Sequence, residues 1–228
     1  MSWLLANLGQ IGAAALAHVA LSVPPFVIGL VIALPLGWLA NRYRLSRGTI
    51  LVVCGLLYAI PSLPLFIVLP GLIGTRILDP ANVVVALTVY AVALLVRAVA
   101  DALGAVDREA LLSATALGYS AARRFWGVEF PLAAPVILAG LRVVAVSTVS
   151  LVTVGSVIGV GSLGNYFLDG YQRAFPLEIG VGIVGTLLIA LVLDGLLVLV
   201  GRLLLPWTRR GAFAGARTLG AAARLGAA

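Results

Sequence analysis

Long apolar stretches, separated by short polar ones, make up most of this chain. Five are long enough to cross a bilayer, since about 20 helical residues at 1.5 Å each span a hydrocarbon core of about 30 Å. In chain order, the predicted spans are 18–40, 49–73, 81–103, 135–158 and 177–205. The apolar residues 1–17 predict an interfacial helix that leads into the first span. The pattern therefore predicts an all-α, polytopic membrane protein with about five core transmembrane helices.

Prolines interrupt the first two spans. Three prolines lie within 18–40, where they are expected to kink or break the helix, and three lie within 49–73. In the second span, the run Ile-Pro-Ser-Leu-Pro at 60–64 predicts a break in mid-membrane. Freed backbone groups are unfavourable in lipid. We therefore expect this break to face the interior of the helix bundle.

One long polar passage, residues 107–135, separates the third and fourth spans. Its first part is helix-forming, Gly118 breaks the run, and residues 120–126 resume it. Pro131 predicts the end of this second helix, because a proline disfavours helical backbone in the residue before it. The passage predicts a helix, a glycine bend and a second short helix beside the membrane.

This passage resembles the cytoplasmic coupling loop of binding-protein-dependent ABC importer permeases. That loop carries Glu-Ala-Ala, three further residues, a glycine and a downstream Leu-Pro. Here the glycine is Gly118, Leu112 replaces the glutamate, and Phe130 stands before Pro131. Glu109 lies about one helical turn before Leu112, so a carboxylate can still face the same partner.

The resemblance implies that the loop, 105–131, docks into a groove on a cytoplasmic ATPase. An ordinary amphipathic helix at the membrane surface is the alternative, but the loop's length, the glycine bend and the proline favour docking. The candidate coupling residues are Glu109, Leu112, Ser113, Ala114, Gly118, Tyr119, Arg123 and Pro131.

Further segments resemble the osmoprotectant branch of that family, the permeases for glycine betaine, choline, carnitine and proline betaine. They are YAIPSLPLFIVL (58–69), AGLRVVAV (139–146), IGVGSLGN (158–165) and the pair at 193–194, within a likeness over about residues 18–207. The resemblance implies a second permease, identical or related, two ATPase subunits and an extracytoplasmic binding protein, in a bacterial cytoplasmic membrane. A methionine-type amino-acid permease and a proton-coupled secondary transporter using Asp194 remain alternatives.

Composition and charge agree with a membrane protein and predict its orientation. Hydrophobic residues make up 62% of the chain and charged residues 10%, against about 25% in soluble domains. The net charge of +7 comes from arginines, and eleven of these lie on one side of the predicted spans against two on the other. By the positive-inside rule the N-terminus is outside and the C-terminus cytoplasmic. Residues 1–207 then form the permease domain and 208–228 a cytoplasmic tail.

Polar and aromatic residues within the spans are candidates for the transport pathway. Tyr58 and Tyr90 offer ring faces to a quaternary ammonium. Ionisable groups in spans usually pair inside the bundle, so Asp194 has either a structural partner on another helix or a substrate contact. Arg97 and Asp101, four residues apart, are expected to pair along one helix face. The candidate pathway residues are Tyr58, Pro61, Ser62, Tyr90, Ser147 and Asp194.

The outer turn at 159–164 matches G-x-G-x-x-G, but a dinucleotide site needs a strand before that motif, and here a span precedes it. We expect an external turn near the dock of the binding protein, with Gly161, Gly164 and Asp169 as candidate contacts. Gly155 and Gly159 predict close helix packing.

Other classes of chemistry are excluded by what the chain lacks. A chain without lysine has no G-x-x-x-x-G-K-[ST] phosphate loop, so a partner must bind ATP and Mg²⁺. His18, the single histidine, cannot alone make a metal site or a triad, and the arginines lie at span ends rather than along a nucleic-acid-binding face. We therefore expect a transporter subunit and not an enzyme, with no metal, no cofactor and no nucleic acid of its own.

Overall fold

The computed structural model describes residues 2–208, except the side chain of Arg44, and every regular element among them is helical. The helices are α1 (Ser2–Arg42), α2 (Arg44–Ala59), α3 (Ser62–Ile73), α4 (Pro80–Gly104), α5 (Arg108–Ala116), α6 (Ala121–Arg124), α7 (Phe130–Val152), α8 (Gly164–Gln172) and α9 (Pro176–Leu204), with a π-helical segment (Phe125–Glu129) before α7 and a 3-10 segment (Thr153–Ile158) after it.

Four helical stretches of the described residues are long and apolar enough to cross a membrane, namely Ser2–Arg42, Pro80–Gly104, Ala121–Ile158 and Pro176–Leu204. Helices α2 and α3 are bent by 102° and make a fifth span if they are counted together. The predicted all-α, polytopic fold is confirmed. The predicted tail lies, from residue 209 onward, outside the described residues.

Helix α1 is a single helix of 41 residues, so the expected interfacial helix is not separate: its described residues, 2–17, belong to the same helix as the first span. At 1.5 Å per residue it is about 60 Å long, roughly twice the hydrocarbon thickness. Its three prolines lie inside the helix without ending it. At its start, the Trp3 ring packs edge-on against Tyr166 and Phe175, which joins this end of α1 to the N-terminal ends of α8 and α9.

Helix α4 lies at the centre of the bundle, and α1 packs against it through small residues. A Cβ at Gly29 would lie 2.6 Å from that of Ala91, and one at Gly37 would lie 2.6 Å from that of Val99. Small residues let two helix backbones approach closely in membranes. Leu95, Val96 and Val99 on α4 are consequently fully buried.

Two hydrogen bonds fix the core where the helices depart from regularity. The fully buried His18 donates from Nε2 to the backbone carbonyl of Val149 on α7, at 2.9 Å. Tyr90 on α4 donates its hydroxyl to the carbonyl of Ile60, at 2.5 Å, between α2 and α3. The predicted break at 60–64 is confirmed, and a neighbouring helix satisfies one of its freed carbonyls.

The prediction that Pro131 ends the second coupling helix is wrong. Helix α6 continues through the π-helical segment into α7, so the span begins at Ala121 and not at residue 135. The N–H of Phe130 donates to the carbonyl of Phe125, five residues earlier. This wider turn lies directly before Pro131, so the helix departs from regular α-helical hydrogen bonding at the proline without ending there.

Candidate coupling surface and transport pathway

The coupling segment, residues 105–131, begins with a capped helix. The side chain of Asp107 accepts a hydrogen bond from the N–H of Glu109 at 2.9 Å, which satisfies one free donor at the start of α5. The carboxylate of Glu109 is exposed in this first turn, where a negative charge is favourable.

Gly118 ends α5 in a Schellman motif. Its φ is 81°, the N–H of Gly118 donates to the carbonyl of Thr115, and the N–H of Tyr119 donates to that of Ala114. This left-handed position favours glycine, because a Cβ there would crowd the following carbonyl. The predicted bend is therefore confirmed and has a defined hydrogen-bond pattern.

Polar contacts hold α6 against α5 after the bend. Arg124 donates from Nε to Glu129 at 2.8 Å and from Nη1 to the hydroxyl of Thr115 at 3.0 Å. The Arg123 guanidinium lies over the Tyr119 ring, 4.6 Å from its centroid. These contacts give the segment a fixed shape before any partner binds.

The coupling segment exposes three large apolar side chains. The side chains of Leu112, Leu117 and Trp126 are 59%, 78% and 66% exposed. Large exposed apolar side chains are often part of a protein interface. Leu117 and Trp126 are exposed residues that the sequence analysis did not single out, although both lie within the coupling segment.

The predicted coupling residues separate into two groups. Ala114 is buried beneath the Schellman motif, and Tyr119 and Pro131 are half-buried, so these three shape the segment. The remaining predicted residues are exposed and available to a partner: Glu109, Leu112, Ser113, Gly118 and Arg123. A cleft of about 420 Å³ lies between this segment and the C-terminal end of α1 at Trp38 and Asn41.

Four of the six predicted pathway residues gather at the break between α2 and α3. The rings of Tyr58 and Tyr90 meet edge-on, with centroids 5.9 Å apart and planes at 88°. Tyr58 is 47% exposed and Tyr90 is buried behind it. Pro61 is exposed in the single chain and Ser62 is half-buried, so the expected interior position of the break requires a partner to cover it.

The other two predicted pathway residues lie between α7 and α9. Asp194 forms a bidentate ion pair with Arg142, at 2.7 Å to Nε and 2.8 Å to Nη2. Of the two roles predicted for Asp194, a structural partner on another helix or a substrate contact, the structure shows the first. Ser147 lines the same cavity of about 540 Å³, and its hydroxyl donates to the carbonyl of Val143.

The predicted pair between Arg97 and Asp101 is wrong. Asp101 instead accepts a hydrogen bond from Arg47 on α2, at 2.7 Å. The spacing of four residues along α4 suggested the pair, but the carboxylate of Asp101 is bound by Arg47 of the neighbouring helix instead. Arg97 belongs to none of the three ion pairs between described residues.

The outer turn joins the 3-10 segment to α8 through the non-helical residues 159–163. Of the two glycines expected to pack closely, only Gly155 lies in a helical segment, and a Cβ added to it would lie 3.1 Å from the side chain of Val83. Gly159 follows the end of the 3-10 segment, with a φ of 87°. The N–H of Ser162 donates to the side chain of Asn165 at 3.0 Å. A helical segment precedes the glycine-rich run, in agreement with rejecting a dinucleotide site.

The three candidate docking residues in this region differ in accessibility. Gly161 is exposed and Asp169 on α8 is half-buried. Gly164 is buried, and a Cβ there would collide with the carbonyl of Thr153. Gly164 therefore serves close packing, and the accessible contacts are the other two.

No group of three or more His, Cys, Asp and Glu side chains in the described part of the chain could hold a metal ion. The helical spans, the broken second span and the protruding coupling segment together define a multi-pass membrane permease. The chain belongs to the family described as binding-protein-dependent transport system inner membrane component, which matches residues 29–210. Its members are the membrane subunits of ABC importers and have no ATPase site of their own, so the predicted resemblance is confirmed.

Relatives and solved structures agree with this family. The choline transport system permease protein OpuBB of Bacillus subtilis is 31% identical over 83% of this chain and 86% of its own length. The glycine betaine/proline betaine transport system permease protein ProW of Escherichia coli is 31% identical over 87% of this chain and 56% of its own. An inward-facing structure of the MetNI methionine ABC transporter covers 87% of this chain and 96% of its own, with a TM-score of 0.70 at 21% identity, and shows the shared fold.

Proposed function

We propose that this chain is the transmembrane permease subunit of an ATP-driven importer of quaternary-amine osmoprotectants: glycine betaine, choline, carnitine or proline betaine. The observation that carries the proposal is the pre-shaped coupling segment with its exposed apolar side chains, on a chain whose relatives are named for such substrates. Because the shape of this surface is already fixed, the backbone of the segment loses little conformational entropy when a partner binds. The chain itself makes and breaks no covalent bond.

Two permease subunits, identical or related, would enclose the pathway, because the break and the Tyr58 ring are uncovered in the single chain. Two ATPase subunits that bind ATP and Mg²⁺ would each contact one coupling segment at Leu112, Leu117 and Trp126. Since α6 continues through the π-helical segment into α7, movement of the ATPase would be carried directly into a span.

An extracytoplasmic binding protein would deliver substrate at the outer turn, near Gly161 and Asp169. The excess of arginines on the side of the coupling segment supports a cytoplasmic position for that segment and for the C-terminus, with the N-terminus outside. Within the pathway, the edge-on pair of Tyr58 and Tyr90 would meet the quaternary nitrogen at its ring faces.

The bidentate pair with Arg142 argues against proton coupling through Asp194. A carboxylate held by two charge-assisted hydrogen bonds strongly favours its ionised form and releases no proton in a cycle. A secondary transporter would need that pair to open in each cycle.

The test is purification of the tagged permease in mild detergent, together with uptake of radiolabelled glycine betaine and choline by membrane vesicles with and without internal ATP. We expect a co-purifying ATPase and ATP-dependent uptake. Leu117→Asp should reduce both by about tenfold or more, as for the loss of an interface anchor. Leu45→Asp is the matched control, since Leu45 is also an exposed leucine but lies outside the coupling segment.

Three results would contradict the proposal. Uptake that follows a proton gradient and stops with Asp194→Asn would indicate a secondary transporter. ATP-dependent uptake of methionine but of no quaternary amine would retain the importer and change the substrate class. Equal losses for Leu117→Asp and its Leu45→Asp control would remove the docking role of the exposed apolar side chains.

A further inference from the structure

Arg97 is the charged side chain within the central helix that has no role in the fold described above. We propose that its guanidinium binds the carboxylate of zwitterionic substrates as they cross the inner half of the membrane. The inference rests on the proposed function and deepens it, because it separates two kinds of quaternary amine: those with a carboxylate and those without one.

The position of Arg97 is unusual for α4. Its neighbours Leu95, Val96, Val99 and Ala100 are buried, whereas Arg97 is exposed in the single chain. It lies five residues, or about 7 Å, to the inner side of the helix midpoint, and therefore within a hydrocarbon core of about 30 Å. Ionisable groups at such depth face a bundle interior or a water-filled cavity rather than lipid.

Among the described residues, no carboxylate forms an ion pair with Arg97. Asp101, one turn further on, is held by Arg47, and the other two ion pairs join Arg124 to Glu129 and Arg142 to Asp194. A fixed positive charge inside a membrane is unfavourable unless an anion or water meets it. A transported carboxylate is an anion of the required charge.

The guanidinium and the aromatic pair lie along one strip of the structure. Arg97 follows Tyr90 by seven residues, which places it on nearly the same face of α4 and about 10 Å closer to the inner side. On the neighbouring α2, the Tyr58 ring contacts Tyr90 at one end of this strip, with ring centroids 5.9 Å apart. The strip therefore presents an aromatic face first and a guanidinium beyond it.

This order matches the chemistry of the zwitterions named for the relatives. Glycine betaine and carnitine carry a quaternary nitrogen at one end and a carboxylate at the other, whereas choline carries the nitrogen and a neutral hydroxyl. Tyrosine rings attract the nitrogen, and the planar guanidinium donates two parallel hydrogen bonds to a carboxylate. A guanidinium further along the path favours carboxylate-bearing substrates and gives choline no such contact.

The decisive experiment measures ATP-dependent uptake of glycine betaine and choline in parallel by vesicles with the complete importer. Arg97→Gln should reduce glycine betaine uptake by about tenfold or more, as expected for the loss of a hydrogen bond between charged groups. Choline uptake should change less than about twofold, and Arg97→Lys should lose less glycine betaine uptake than Arg97→Gln, because the charge remains although the two parallel hydrogen bonds do not. Arg76→Gln, in the loop between α3 and α4, is the control and should leave both unchanged.

The outcomes separate this inference from the proposed function. An importer that carries neither compound in its wild-type form would overturn the proposed substrate class, and the inference with it. An importer that carries choline and no zwitterion would overturn the inference alone, because a cation-only pathway has no use for a fixed positive charge. Equal losses for both substrates, or no loss for either, would also overturn it.

A second measurement tests whether Arg97 faces water inside the complex. In a Cys54→Ala background, Arg97→Cys should react with a small water-soluble thiol reagent, and glycine betaine should slow that reaction. Val192→Cys, at an exposed apolar position of α9, is the control that should stay unlabelled. An unreactive Arg97→Cys would show that the side chain is covered or faces lipid, which would overturn the proposal.

Discussion

Replacement of Gly118 tests how far the shape of the coupling segment depends on one backbone conformation. The residue has a φ of 81°, and a Cβ built on it would meet no atom within 4 Å. Any effect of an alanine there is therefore conformational and not steric within the chain. A left-handed conformation costs an ordinary residue about 1–2 kcal/mol.

That energy corresponds to a factor of about 5–30 in an equilibrium constant. A free segment with Gly118→Ala can relax away from the bend, whereas a docked one cannot, so the strain should weaken binding to the ATPase by up to that factor. Asparagine tolerates the left-handed region better than alanine, and a β-branched residue tolerates it least. We expect affinity to fall in the order glycine, asparagine, alanine, valine.

The assay is the concentration of purified ATPase that gives half-maximal binding to the permease in detergent or nanodiscs. Gly48→Ala is the matched control, because Gly48 lies in α2 with open space around it and no positive φ. Binding by Gly118→Asn and Gly118→Ala at the wild-type level, with loss only for bulkier side chains, would refute the conformational argument. It would indicate instead that the partner surface approaches this residue closely.

Three further predictions concern packing and pairing within the membrane. Gly37→Ala should lower the thermal stability in detergent by about 1–3 kcal/mol, because its Cβ would overlap a valine on α4, whereas Gly12→Ala, in open space, should have little effect. Arg142→Met and Asp194→Leu should each reduce the yield of folded protein, and the double variant should recover most of it, since an apolar pair can replace an ion pair. Tyr90→Phe should destabilise the protein by about 1–3 kcal/mol, because it leaves a carbonyl at the break without its donor.

Each of these predictions has a result that would contradict it. An unchanged melting temperature for Gly37→Ala would show that α1 and α4 can separate slightly without loss. A double variant as poor as its single parents would mean that Arg142 and Asp194 have a role beyond pairing with each other. Wild-type stability of Tyr90→Phe would indicate that water or a second subunit satisfies the carbonyl.

The sequence predicted those features that depend on local chemistry. Apolar length predicted the spans, the run at 60–64 predicted the break, and Gly118 predicted the bend, because glycine and proline act on the backbone where they stand. Features that depend on neighbouring helices were not predictable in this way. The partner of Asp101 is an arginine on α2, which no spacing along α4 could indicate.

The exposed and buried residues of the coupling motif show the same difference. Ala114 and Leu112 were predicted together, but two residues apart on α5 they point in nearly opposite directions, so Ala114 is buried and Leu112 is exposed. Leu117 and Trp126 were missed because an apolar residue near a membrane is ordinarily assigned to packing. Their exposure becomes evident only when the segment is folded.

The π-helical segment 125–129 also sets a rotational phase between the coupling surface and α7. One residue more or less in a continuous helix rotates everything beyond it by about 100° and shifts it by 1.5 Å. Deletion of Gly127 would restore an ordinary turn and rotate the coupling segment away from its present direction relative to α7, with every other side chain retained. The direction in which the coupling surface faces therefore depends on the number of residues in this segment as much as on their identity. A sequence alignment that places a gap within 125–129 would lose this information.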